Sequence, residues 1–225
     1  MFSFFKKKVA APTPTPPQFQ PTQIVPRIKH LNFLEALKPL MAQVEQSGGD
    51  PKMQMAVTRP FVGDLLVTYS LDLPDRFVSI SHQVMQEMGL DPDSLHRIAL
   101  ENLEKCFNEG IAVQDLQLYN AIGTGGNLEA CTLLLPWLWQ KKSTTVTGDL
   151  LMVVPSRNAV YFTGSEHQLK LDNTVVTSKH ILGIMCSAAL QVKADEQVHG
   201  LSDHVFVWRN GWQVVDAMNN LARSE

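Results

Sequence analysis

Asn210-Gly211, set between the β-type runs VFVWR and WQVV, is the strongest local signal in the chain. Two residues that tolerate positive φ between two strand-like runs predict a β-hairpin with a type I′ turn. The same grammar recurs upstream. Asp64–Ser70 and Phe77–Ile80 flank Asp72–Asp75, where Pro74 and two acids supply turn chemistry. LLMVV and AVYFTG flank Pro155-Ser156-Arg157-Asn158. Strands joined by tight turns pair antiparallel, because a parallel pair needs a long crossover.

Helical segments alternate with these hairpins. Asp91-Pro92 is a helix start, with Asp91 as N-cap and proline at the first helical position. Leu95, Ile98, Ala99, Leu103, Cys106 and Phe107 then line one face, and Gly110 ends the helix. Ser178 is expected to cap a second helix with Ile181, Leu182, Met185, Ala188, Ala189 and Val192 inward. Ile28, Leu31, Leu34, Leu37, Met41 and Val44 recur at three and four residues, so a helix is expected from Ile28, bent or broken at Pro39. Val113–Ile122 reads as one strand. Asn127–Gln140 is open between a buried helix and a strand; Asn127 as N-cap favours a helix that kinks at Pro136. The sum is an α+β fold, a mostly antiparallel sheet with helices packed against it.

Composition places this domain behind a tail. Residues 11–26 read APTPTPPQFQPTQIVP and hold six of the 13 prolines. With little to bury, residues 1–27 are expected to be a disordered, basic, proline-rich tail, and 28–225 a single domain. Pro14 and Pro17 have the PxxP spacing that an aromatic groove reads. Residues 1–30 carry five Lys and Arg and no acid; the remainder holds 14 basic against 22 acidic residues, a net charge of −8. An acidic body argues against nucleic acid as a partner. No apolar run is long enough to span a membrane, and MFSFFKKK lacks the order of a secretory signal. Stable membrane insertion is not expected. Cys106, Cys131 and Cys186 form no CxxC pair and sit in apolar runs, which reads as reduced core thiols in a cytoplasmic protein.

Candidate chemistry is sparse. The loop Gly123-Thr124-Gly125-Gly126-Asn127 could aim backbone N–H groups at an anion, but it has neither the Walker spacing nor GxGxxG. Arg157, between Ser156 and Asn158 in its turn, is a candidate anion clamp, and Glu129 is its expected internal partner. His199, Asp203 and His204 lack the helical spacing of HExxH and read as a polar loop, so no metal or other cofactor is expected. No nucleophile stands in a recognisable setting. Trp212 is expected opposite Arg209 at the hairpin tip, an exposed aromatic–cation knob suited to a protein partner.

The segments RPFVGDLLVTYSLDLPDRFVSIS, LHRIALENL, GGNLEACTLLL, GDLLMVVPSRNAVYF and HGLSDHVFVWRNGW, taken in order, resemble the YtpQ-like family of bacterial proteins. The resemblance spans Arg59 to Trp212 and departs at Asn158, where the family pattern prefers an acid. It implies a shared fold and brings no activity, because that family's function is unassigned. Two readings follow. One is a non-enzymatic interaction or binding protein, with an immunity-like neutraliser of a basic partner as one form. The other is a small-ligand enzyme or anion-binding protein built on Gly125, Gly126, Asn127, Glu129, Ser156, Arg157 and Asn158. Oligomeric state is not legible.

Overall fold

The computed structural model describes residues 20–107, 110–172 and 174–222. Two antiparallel sheets carry the α+β fold. The first is built on β3 (Leu65–Leu73). One edge of β3 pairs with β1 (Ile24–His30); the other pairs with β2 (Thr58–Pro60) and β4 (Arg76–Ser79). β3 reads LLVTYSL and is buried at every position from Leu65 to Leu71, as expected for a strand covered on both faces. The β3–β4 turn is the one its Pro74 and Asp75 announce, with Leu73 opposite Arg76.

The second sheet has the order β12-β11-β7-β8-β6-β5. Its strands are β5 (Ala112–Asp115), β6 (Asn120–Gly123), β7 (Leu150–Ser156), β8 (Ala159–Gly164), β11 (His204–Trp208) and β12 (Trp212–Ala217). A separate small hairpin, β9 (Leu169–Leu171) with β10 (Thr174–Val176), lies between β8 and the following helix.

Helices cover both sheets. They are α1 (Asn32–Gln46), α2 (Pro51–Gln54), α3 (His82–Glu87), α4 (Pro92–Cys106), α5 (Pro136–Ser143), α6 (Ser178–Asp195) and α7 (Met218–Ala222). Asp91 caps α4 as its chemistry demands, accepting from the N–H groups of Asp93 and Ser94. Leu95, Ala99 and Leu103 of α4 join Leu65, Val67, Tyr69 and Leu71 in the main core, which continues to Met152, Val154 and Phe206 of the second sheet. The alternate residues Val153 and Val205 turn to the other face, against Met185, Cys186 and Ala189 of α6 and Met218 of α7. Period-two burial on β7 thus makes two cores from one strand.

The sheets are joined at Asp64, just before β3. Its Oδ1 accepts from Ser202 Oγ at 2.6 Å, and its Oδ2 lies 3.3 Å from His30 Nε2 and 3.9 Å from His204 Nε2. Its backbone carbonyl accepts from Leu31 N. The adjacent Gly63 has φ +57°, and a Cβ there would sit 2.7 Å from Val214 Cγ2 of β12. Only glycine allows this approach.

Several expectations are corrected. Ile24–His30 is a strand, so the ordered body begins before residue 28 and α1 begins only at Asn32. Ile24 and Ile28 are four apart, which suits a helix face and a strand face equally; the free edge of β3 needed partners for its backbone groups, and the strand won. Residues 1–19, which include the PxxP spacing, lie outside the described residues. Pro39 lies within α1 and does not end it. Val113–Ile122 is a hairpin, turning at Gln117 with φ 72°. Asn127 caps nothing: it takes φ 78°, and a 3-10 turn over Ala130–Leu134 precedes α5, where Pro136 is the first residue. Thr177, one residue before Ser178, is the N-cap of α6. Asn210 and Gly211 both have positive φ, but Trp208 pairs with Trp212, so the loop has three residues and is not a two-residue type I′ turn. Cys131 and Cys186 are buried, whereas Cys106 is exposed.

Candidate functional site

The glycine loop holds an anion, and the anion belongs to the chain. Glu129 is 5% exposed, and its Oε1 accepts from the backbone N–H of Thr124 and of Gly126, both at 3.1 Å. Gly125 and Gly126 take φ of 87° and 116°, a backbone form that curls the N–H groups toward one point. The other carboxylate oxygen of Glu129 is buried without a hydrogen-bond partner. Arg27 of β1, also 5% exposed, donates from Nη1 to the carbonyl of Asn127 at 2.6 Å and stacks 4.3 Å from the Phe77 ring centroid.

The loop and the β7–β8 turn meet. The N–H of Ala130 donates to the carbonyl of Arg157 at 3.1 Å, and the N–H of Arg157 donates to the carbonyl of His199 at 3.1 Å. The side chains diverge. Glu129 and Arg157 form no ion pair, and Arg157 Nε is buried without a partner. Ser156 is fully buried and its hydroxyl accepts from Asn158 N, so it is occupied in shaping the turn. Asn158 is exposed. Arg157 instead lines a cleft of about 420 Å³ that none of residues 123–127 reaches.

Trp212 is not a knob. It packs edge-on against Trp208 at 5.0 Å and Trp139 at 5.2 Å between ring centroids, and its Nε1 donates to the carbonyl of Leu133 at 3.1 Å. Arg209, expected beside it, is paired with Asp149. Trp139, fully buried, donates to the carbonyl of Thr132 at 2.6 Å. The 3-10 turn thus presents two carbonyls to two indoles. The third indole N–H, that of Trp208, is buried without an acceptor.

This aromatic stack forms one wall of a second cleft, of about 550 Å³. Phe61, Pro60 and Pro136 add apolar surface, and Trp137 stands at its side 47% exposed. Trp137 and Trp139 face opposite ways, as their spacing on α5 requires. The cleft has a polar end. Tyr69 Oη and His96 Nδ1 are 2.9 Å apart, and Arg59 is paired with Asp93. Burial, and then the Arg59 charge, hold the His96 imidazole below its ordinary value, which favours its neutral form. Burial pushes the Tyr69 phenol up and keeps its proton in place. The sequence marks Trp212 as a partner contact; the remaining walls come from segments between Arg59 and Gly211 and meet only in the fold.

Among the described residues no group of three His, Cys, Asp or Glu side chains is placed to hold a metal ion. His204 and Asp203 are spent elsewhere, on the Asp64 seam and on Lys193. No helix among the described residues is long and apolar enough to cross a membrane. No family model, curated protein or solved structure matches this chain.

Proposed function

We propose that the protein is a non-enzymatic binding protein that recognises an extended, proline-rich segment of a protein partner in the aromatic cleft. The observation that carries this reading is the cleft itself: about 550 Å³ walled by Trp208, Trp212, Phe61 and a half-exposed Trp137. Flat indole walls suit pyrrolidine rings, and a polyproline II strand enters such a groove at low entropic cost, since its backbone is already extended. His96 and Gln140 line the same cleft and supply polar contacts for a peptide backbone that has no internal hydrogen bonds. Large rings clustered on a surface are where binding energy concentrates. Membership of the YtpQ-like family, suggested by the motif order, is part of the proposal and adds no activity to it. So is a cytoplasmic location, which the free thiols Cys106, Cys131 and Cys186 support.

The test is titration of the peptide APTPTPPQFQP, a sequence the chain itself carries at 11–21, followed by tryptophan fluorescence. Saturable binding is expected, weakened about tenfold or more by Trp137→Ala, and absent for a peptide with serine in place of each proline. Binding that is indifferent to both changes defeats the reading.

A further inference from the structure

The first cleft has the opposite chemistry. It lies between β1–α1 on one side and the segment leading to β11 on the other. Lys29, Arg157, Lys193, His30 and His199 all line it. The carboxylates at hand are committed: Asp203 to Lys193 at 2.7 Å, and Asp64 to His30. Glu129 is turned into its own loop. Lys29 and Arg157 have no carboxylate within ion-pair distance among the described residues, and Arg157 Nε lacks any hydrogen-bond partner. Arg27, two residues before Lys29 on the same face of β1, adds a third cation behind them. Lys29 and Arg157, grouped with neither paired to a carboxylate, repel one another, so the fold carries this cost unless a ligand removes it.

We infer that this cleft binds a phosphate monoester, with Lys29 and Arg157 as its direct cationic contacts. A carboxylate brings one charge and leaves one of the two cations unmatched; a phosphate monoester brings about −1.5 to −2 at pH 7. A guanidinium offers paired donors to two phosphate oxygens, and an ammonium serves as a point charge. The rest of the cleft suits the ester's organic part, because Phe33, Ile28 and Leu201 line it as apolar surface. Lys29 behaves as such a site would require. Burial, then Arg27, then Arg157 lower its ammonium pKa, which an incoming dianion would reverse. The anion site is therefore at Lys29 and Arg157 and not at the glycine loop, because the loop's N–H groups already have Glu129.

Calorimetric titration with phenyl phosphate and with benzoate, at constant ionic strength, tests the assignment. Phenyl phosphate is expected to saturate the protein and to bind at least about tenfold tighter than benzoate. Arg157→Gln and Lys29→Gln should each weaken it about tenfold, with Arg157→Lys intermediate because the paired donors are lost. Melting temperatures no lower than that of the parent protein establish that the variants are folded. Trp137→Ala should leave phenyl phosphate binding as it is, which separates this site from the aromatic cleft. Three results overturn the inference: no saturation below about 10 mM, benzoate binding as tightly, or affinity unmoved by Lys29→Gln.

Discussion

The short 3-10 turn Ala130–Leu134 serves both clefts, lining one and holding Arg157 of the other by a backbone bond, and the clefts differ in what the chain leaves for others to satisfy. On the aromatic side, Leu133 and Leu134 form part of the wall while Thr132 and Leu133 hand their carbonyls to Trp139 and Trp212. The residues that line the cleft also hold the core together. On the cationic side, the Ala130 N–H anchors the β7–β8 turn through a backbone bond, and the Arg157 side chain is released from structural duty. Stability and recognition are therefore coupled at one cleft and separable at the other.

That contrast can be broken most decisively at Trp212. Trp212→Ala removes two ring contacts and the bond to Leu133, and should cost about 3 kcal/mol in denaturant melts, while the neighbouring wall residue Trp137 should tolerate alanine within about 0.5 kcal/mol. Similar losses at both would show that the exposed and packed halves of the wall are not distinct. Glu129→Ala comes next, at about 2–3 kcal/mol, since it orphans the loop N–H groups of Thr124 and Gly126 and removes the buried negative charge near Arg27. Glu129→Gln keeps one acceptor oxygen and should lose less than half as much.

Arg157→Ala should cost less than about 1 kcal/mol, and its effect should add to that of Glu129→Ala, because the two side chains are not paired. A double mutant less destabilised than the sum would restore the ion pair that the sequence suggests. The smallest effect is on pH dependence at the polar end of the aromatic cleft. His96 takes its proton at a lower pH folded than unfolded, where the ordinary value is 6.5. As pH falls below that value the unfolded chain gains the proton first, so stability declines until the folded pKa is passed. His96→Gln should flatten that decline in thermal melts between roughly pH 7 and pH 5. Tyr69 acts at the other extreme: its raised pKa means stability is lost as pH climbs past the ordinary phenol value of 10.

What the sequence reveals here is local, and what it conceals is long-range. The Leu73–Arg76 turn, the Asp91 cap and the Ser156–Ala159 turn were legible because each is decided by residues within a few positions of one another. β1 was not, since apolar residues four apart satisfy both periods and only the unpaired edge of β3 decides between them. The candidate site divides the same way. Gly125, Gly126, Asn127, Glu129 and Arg157 were recognisable as polar features at turns, and the backbone bond from Ala130 to Arg157 does bring the two turns together. Which cation meets which anion was not legible, because Glu129 finds its partners three and five residues away in its own loop and Arg157 opens toward Lys29, 128 positions earlier in the chain. The aromatic cleft needs residues 59 and 212 in one lining, a fact of topology with no trace in either neighbourhood.

The Asp64 junction bears on how the molecule comes apart. A single carboxylate accepts from Ser202 and lies beside His30 and His204, and its own carbonyl receives Leu31, so three segments distant in sequence are fastened at one point. A rivet of this kind removes the freedom of one sheet to slide or open while the other stays closed. The two sheets then behave as one cooperative unit in native-state hydrogen exchange, with the amides of β3 and β11 released in the same event. Asp64→Ala would divide that event in two, turning a single unfolding class into an early one for the first sheet and a later one for the second.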